Sequence, residues 1–456
     1  MKMVTQQSLE RKLLLALLGR DREAQDIAEM LSLLRQVNWE SFLSTTSVDL
    51  YPFVLSRLEP YLSFLPAQAE CERFFKVRRL TAIHNLRLRH ELGRTLKALR
   101  QSGIPALALK GAVMAYTVYA DPSLRPMSDL DLLVPPDKRE SASRVLRTLG
   151  YDYPESALAT HRDLIWRLGP NQEYVPPLRL RGSKVLLEVH SQLDCSDPVF
   201  PMPVDEFWSR SIVVDLKGLE VRTLCPEDFL FHVCLHQSRS HRFEKGLLPL
   251  VDVKLLLDSR SDWNWAQIVE RSLRSGCATW MYLTLEVARD LVGARVPDSF
   301  FQALRQPRDP PRLRSLVEEQ IWSAQSGQPP VPLFLPRLLA EVSWRSRARM
   351  ILTRLRLVGD TELDSDSTES SFLRRARASL RQLLATLRSR IPHYFHTLKS
   401  GRLNLRTIRK TAFLMRASDN LFQLIERETV GADGNSLVDT TSRVPLERSA
   451  NHSRPM

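Results

Sequence analysis

Apolar side chains recur at helical spacing through most of the first hundred positions, where residues three and four apart share one side of a helix. That pattern predicts helices over 8–19, 26–37, 48–58 and 68–101. The last run stops at Ser102-Gly103, because glycine tolerates the left-handed turn that follows a final helical carbonyl. The period then changes. Ile104-Pro105-Ala106-Leu107-Ala108-Leu109 is a short apolar run that reads as a buried strand over 104–109, followed by a helix over 112–119. Further strands are expected over 129–134, near 173–180 and over 184–190, with a helix at 138–149. Pro135-Pro136-Asp137 reads as a stop followed by a helix cap, and Gly150 stands where a helix C-terminal glycine belongs. From Pro226 onward the pattern is helical again, and the proline-rich stretch 300–336 reads as an irregular connection. Strand-helix alternation between helical flanks predicts an α+β fold, a mixed sheet covered by helices.

Within that alternation, Asp129-Leu130-Asp131-Leu132-Leu133-Val134 carries candidate chemistry. Successive strand side chains point to opposite faces, so Asp129 and Asp131 share one face while Leu130 and Leu132 enter the core. Their Cα atoms would lie roughly 6.5 Å apart, a separation suited to two divalent ions about 3.5–4 Å apart. An Asp-x-Asp pair alone is also common as a solvated strand end. Its context here is Lys110-Gly111 at the start of a helix, where a glycine permits close backbone approach and free N–H groups suit phosphate. Lys184-Val185-Leu186-Leu187-Glu188-Val189-His190 supplies a third acid, Glu188, from a second strand. His190 shares its face, either as a polar partner of Glu188 or as a substrate contact.

These residues resemble the bacterial uncharacterised nucleotidyltransferase family, a branch of the DNA polymerase beta-like superfamily. The matching motifs are Gly103-Ile104-Pro105, Leu109-Lys110-Gly111, Tyr119, Asp121-Pro122 and Leu124-Arg125-Pro126-Met127-Ser128-Asp129-Leu130-Asp131-Leu132-Leu133-Val134. Gly150-Tyr151, Glu188-Val189-His190 and Pro226-Glu227-Asp228, leading to His236, His241 and Asp252, continue the match over roughly 8–275. The resemblance implies a polymerase-beta-like core and transfer of an NMP from an NTP to a hydroxyl-bearing acceptor, with Mg2+, or Mn2+ in its place, as cofactor. It implies Asp129, Asp131 and Glu188 as catalytic metal ligands, and Lys110, Gly111, Arg125 and Ser128 as nucleotide contacts. His190, His236, His241 and Asp252 are candidate acceptor or cleft contacts. Arg125 fits either the leaving pyrophosphate or a structural ion pair. The chain departs from the superfamily in two places: Gly111-Ala112 replaces a Gly-Gly or Gly-Ser turn, and the third acid is Glu188 where many relatives use Asp.

The implied organisation is a helical N-terminal region (1–102), a catalytic core (103–225), a helical region packing on it (226–330), a basic helical C-terminal region (331–430) with an acidic linker at 359–371, and a disordered tail (431–456). Charge changes the picture mainly in the fourth region. The net charge is +13, and 19 Lys and Arg stand against 8 acidic residues between Arg337 and Arg427. Three functions therefore compete: an enzyme acting on a small molecule or peptide of a biosynthetic cluster, a toxin-like enzyme acting on tRNA, and a non-catalytic nucleotide-binding regulator. The family resemblance suggests the first, which is the leading expectation; clustered arginine supports the second as the alternative, and the intact acidic triad disfavours the third. The arginines of the long helix (Arg78, Arg79, Arg87, Arg89) read as a solvated face. His232, His236, His241, Asp252 and Asp258 could be drawn as a metal cluster, yet the chain lacks the adjacent His-Asp of a His-Asp phosphohydrolase. Five scattered cysteines without zinc spacing read as reduced thiols. No uninterrupted apolar run reaches membrane-spanning length, and Leu13–Leu18 lacks a cleavage site, so a cytoplasmic location is expected, with oligomeric state undetermined.

Overall fold

A computed structural model of the protein describes residues 8–19, 24–64, 68–153, 177–193, 204–304 and 310–325. The expected basic C-terminal helices, the acidic linker, the tail and the first part of the 173–180 strand lie outside these residues.

Helices α1 (Leu9–Leu18), α2 (Ala24–Gln36), α3 (Trp39–Thr45) and α4 (Tyr51–Leu58) precede the 34-residue α5 (Gln68–Gln101). Side-chain oxygens of Ser8 and Asn38 cap α1 and α3 by accepting from backbone N–H groups three residues on. Helix α5 ends at Gln101, and Gly103, with φ +67°, carries the left-handed turn that follows it. Strands β1 (Leu107–Leu109), β2 (Asp129–Leu133), β3 (Tyr151–Asp152), β4 (Leu178–Leu180) and β5 (Leu186–His190) form a mixed sheet in the order β1-β2-β5-β4-β3. The β2–β5 pair is parallel and the other pairs are antiparallel. Two helices follow their strands, α6 (Gly111–Thr117) and α7 (Arg139–Thr148). The expected cap at Asp137 does not form. The two prolines instead set a 3-10 turn over Pro136–Lys138, and Asp137 pairs with the neighbouring Lys138.

A short helix α8 (Val204–Ser209) leads to a hairpin of β6 (Ile212–Asp215) and β7 (Glu220–Thr223), which adds two strands to those expected from the apolar pattern. Lys217 and Gly218 both have positive φ, the requirement of a two-residue turn matched to strand twist. The hairpin lies against β1, where the Thr223 hydroxyl donates to the Ala108 carbonyl at 2.6 Å. Helices α9 (Pro226–Leu235), α10 (Leu248–Asp258), α11 (Trp265–Arg274), α12 (Ala278–Val292), α13 (Asp298–Ala303) and α14 (Pro310–Gln325) complete the described chain. Helix α14 corrects the expectation of an irregular 300–336 connection. Its prolines stand in the first turn, where a missing N–H breaks no helical bond, and Leu313, Val317 and Ile321 bury one face.

One hydrophobic cluster runs from Leu13 to Trp322, so the N-terminal helices, the sheet and the later helices share a core. Helix α5 is its strut. Leu88, Leu92, Leu96 and Leu99 are buried along it, and buried Asn85 on the same stripe donates to the carbonyls of Pro122 (2.7 Å) and Arg125 (2.9 Å). The arginines of α5 are not simply solvated: Arg78 bonds Ser123 and pairs with Glu59, and Arg89 holds the Leu216 and Lys217 carbonyls of the hairpin. Helix and loop are thereby locked together just before β2 begins. Among the described residues no helix is long and apolar enough to cross a membrane.

Candidate metal and nucleotide site

The site begins with strand register. Asp131 lies opposite Glu188 in the parallel β2–β5 pair and opposite Leu109 in the β1–β2 pair. Lys110 follows Leu109 directly, so the end of β1 delivers its ammonium beside Asp131, with Nζ 2.7 Å from Oδ1. Two residues beyond Glu188, His190 occupies the same face of β5, and its Nε2 lies 2.8 Å from Asp131 Oδ1 and 3.5 Å from Glu188 Oε2. Candidate ligand atoms of Asp131, Glu188 and His190 all lie within 4.8 Å of one another.

That trio differs from the expected Asp129, Asp131 and Glu188. The pairing that sets Asp131 against Glu188 leaves Asp129 opposite Leu186, one pleat away, where its Oδ1 accepts from the Ser128 hydroxyl at 2.9 Å. Asp129 still shares the strand face and borders the trio. Ser128 is exposed.

Electrostatics follow from three carboxylates facing one permanent cation. Burial would raise the Asp131 carboxyl, but Lys110 and the His190 bond outweigh it and hold it well below the usual carboxylate range. Asp129 and Glu188 move the other way, pushed up by burial first and by the Asp131 charge second. Burial works to lower Lys110, but Asp131 and Glu188 dominate and keep it above its ordinary value. The pocket thus holds more negative charge than Lys110 neutralises, a demand that a divalent cation meets.

Lys110 has φ +48° and ψ −129°, a conformation that favours glycine. The chain uses it to turn from β1 into α6 while the side chain points at Asp131. Gly111 opens α6, and a Cβ there would stand 2.3 Å from a terminal nitrogen of Arg125 and 3.1 Å from Met127 Cγ. The glycine therefore makes room for Arg125. That guanidinium is held by Asp252 of α10, Nε at 3.2 Å from Oδ1 and the other contact at 2.8 Å from Oδ2, while the Tyr119 hydroxyl donates to Oδ1 at 2.7 Å. Of the two roles open to Arg125, the geometry displays the ion pair. Asp252 is 3% exposed, with both carboxylate oxygens engaged. The pair ties the loop before β2 to the later helices.

His236 and His241 come together, their Nε2 atoms 3.1 Å apart, across a π-helical turn at His236–Ser240. Such turns recur at functional sites. Arg242 and Phe243, which follow, both have positive φ. His232 lies one turn back, its ring 6.0 Å from that of His236. Burial first, then the charge of Lys110, pushes His232 down to about 3 and His236 well below its ordinary value. His232 Nε2 is buried without a hydrogen-bond partner among the described residues. A mixed set of carboxylate and imidazole donors beside this orphaned polar atom fits a divalent metal. Asp258, by contrast, pairs with Lys254 and Arg295 and stands apart from the histidines as an ion-pair residue. Cys225, Cys234 and Cys277 form no disulfide among the described residues.

Asn85 and Tyr119 position the site without having been singled out in the sequence as doing so. Asn85 had a signal: it is a polar residue on the apolar stripe of α5. Tyr119 stood within the motif, but nothing local names its partner 133 residues away.

Two solved structures resemble the chain in part. The antibiotic-resistance factor ANT(2'')-Ia is 16% identical, the match covering 46% of this chain and 97% of that one at a TM-score of 0.28. An antigenic nucleotidyltransferase-like protein from Paracoccidioides brasiliensis is 14% identical, covering 47% and 96% at a TM-score of 0.27. No curated protein matches. The sequence profile of the uncharacterised nucleotidyltransferases matches residues 35–293, which include α5, both sheets and the histidine-bearing turn, and the chain belongs to that family.

Proposed function

We propose that the protein is a metal-dependent nucleotidyltransferase that moves an NMP from an NTP to a hydroxyl of a small molecule or peptide. The observation that carries this reading is the register that sets Asp131 against Glu188, with Asp129 beside them and Lys110 within reach. A divalent metal, when bound, offsets triphosphate charge and polarises the phosphoryl oxygens. Asp129, Asp131 and Glu188 are the carboxylates for it. Lys110 provides the fixed positive charge for the phosphates, and Ser128 borders the entrance. Arg125, anchored by Asp252 and lying over Gly111, orients the approach to that face.

In the reaction the acceptor oxygen attacks the α-phosphorus, its bond to the bridging oxygen breaks, and pyrophosphate leaves. Glu188, whose carboxyl is raised by burial and by Asp131, takes the acceptor proton. Positioning and charge stabilisation carry most of the rate. His236 and His241 line the acceptor side, in the helical region after the core.

Binding of each of the four NTPs with Mg2+ tests the proposal by calorimetry. The wild type is expected to bind at least one of them, whereas the double variant Asp129→Asn, Asp131→Asn loses Mg2+-dependent binding and keeps its circular dichroism spectrum. Equal binding by a folded double variant would overturn the assignment.

A further inference from the structure

Resting on that reading, the site allows its cation to be specified further. We propose that Asp131, Glu188 and His190 form a carboxylate-imidazole cradle that holds one divalent transition metal before nucleotide arrives, while Asp129 engages a second ion that comes with the triphosphate.

The argument starts from spacing. Two donors about 2.1 Å from one ion and at right angles to each other lie about 3.0 Å apart. His190 Nε2 is 2.8 Å from Asp131 Oδ1 and 3.5 Å from Glu188 Oε2, so the imidazole stands between the carboxylates at ligand spacing. Backbone geometry enforces the set. Glu188 and His190 are two apart on β5, and parallel pairing puts Asp131 directly across from Glu188. Asp129 and His190 are each offset by two residues from the Asp131–Glu188 pair, and it is the side-chain contacts that separate them: His190 turns to Asp131, whereas Asp129 accepts from the Ser128 hydroxyl.

Donor chemistry then selects the ion. Mg2+ favours oxygen ligands and retains water, whereas imidazole favours first-row transition metals. An all-carboxylate triad would leave the choice to availability; His190 biases it. The histidine must present its Nε2 lone pair, so its present bond to Asp131 gives way to the ion. Lys110 and His190 both bond Asp131 Oδ1, an oxygen with two lone pairs, so the ion takes the lone pair that His190 releases while Lys110 keeps the other. Lys110 is the only cation bonded to this carboxylate cluster by an ammonium among the described residues, and Arg125 is committed to Asp252. Buried His232 Nε2, without a hydrogen-bond partner among the described residues, is a polar atom available to water carried by such an ion.

Mn2+ titrated into the nucleotide-free full-length protein is the test, read by electron paramagnetic resonance of free and bound ion and by pulsed detection of nitrogen coupling. The expected result is one Mn2+ per chain, coupled to one imidazole nitrogen, with a second ion binding when NTP is added. His190→Asn should weaken nucleotide-free Mn2+ binding by about 10-fold or more and abolish the nitrogen coupling. Asp129→Asn should retain that coupling. Bound Mn2+ without nitrogen coupling in the wild type would overturn the cradle whatever the variants do, as would absence of binding until NTP is present. Neither outcome touches the nucleotidyltransferase reading, which fails separately if no metal-NTP pair binds at all.

Discussion

At residue scale, Lys110 shows how one position serves two demands. Its side chain neutralises Asp131 at 2.7 Å, and its backbone makes a turn ordinarily given to glycine. A non-glycine residue in such a conformation carries strain of about 1–3 kcal/mol. Two variants separate the demands. Lys110→Ala and Lys110→Gly both remove the ammonium, but only the glycine relieves the backbone. Lys110→Gly is therefore expected to melt above Lys110→Ala by about 2–4 °C, the shift that about 1 kcal/mol produces in a domain of this size class. Thermal unfolding of the two apo proteins checks it; identical midpoints would mean the turn is unstrained.

At element scale, the β6–β7 hairpin is held from outside. Arg89 of α5 donates through Nε to the Leu216 carbonyl at 2.7 Å and through a terminal nitrogen to that of Lys217. Hydrogen bonds from a charged donor contribute about 1.5–3 kcal/mol. Arg89→Ala should lower the melting midpoint by about 3–6 °C, whereas Lys217→Asn, better suited to positive φ, should raise it by about 1–2 °C. An unchanged midpoint in Arg89→Ala would show that the hairpin is held by β1 alone. The hairpin was legible in principle: Ile212-Val213-Val214 and Val221 flank Lys217-Gly218, but a lone glycine in a short polar stretch is a weak turn signal. The long α5 was legible because leucines recur at helical spacing along it, Leu88, Leu92, Leu96 and Leu99 among them, with no proline or glycine stop before Gly103 except Gly93.

At the scale of the whole molecule, charge and acceptor are linked. The surplus of basic residues between Arg337 and Arg427 belongs to a part of the chain outside the described residues, whereas Lys110, Asp129, Asp131, Glu188 and His190 are among them. A small-molecule or peptide acceptor requires nothing of those arginines. Titration of fluorescent tRNA against wild type and the Arg374, Arg375, Arg377→Ala variant at rising salt is expected to give identical slopes of log affinity against log salt. A slope flattened by roughly 0.7–0.9 per lost phosphate contact would move the acceptor to RNA. The shared core from Leu13 to Trp322 also links regions that the pattern of elements had drawn separately.

The sequence by itself determined what depends on neighbours within a few residues. Period-two alternation placed Asp129 and Asp131 on one strand face, Ser102-Gly103 ended α5, and the Lys110-Gly111 and Asp-x-Asp motifs named the family whose profile matches residues 35–293. Only tertiary structure decided the pairings between distant segments. Parallel register set Glu188 opposite Asp131, and side-chain packing brought His190 against both, with Asp129 on the same strand face. Arg125 found Asp252, 127 residues away, and Gly111 proved to be the space that Arg125 occupies. The reason is physical: periodicity encodes which face a side chain takes, whereas register and long-range ion pairs depend on how whole elements dock, which no local pattern records.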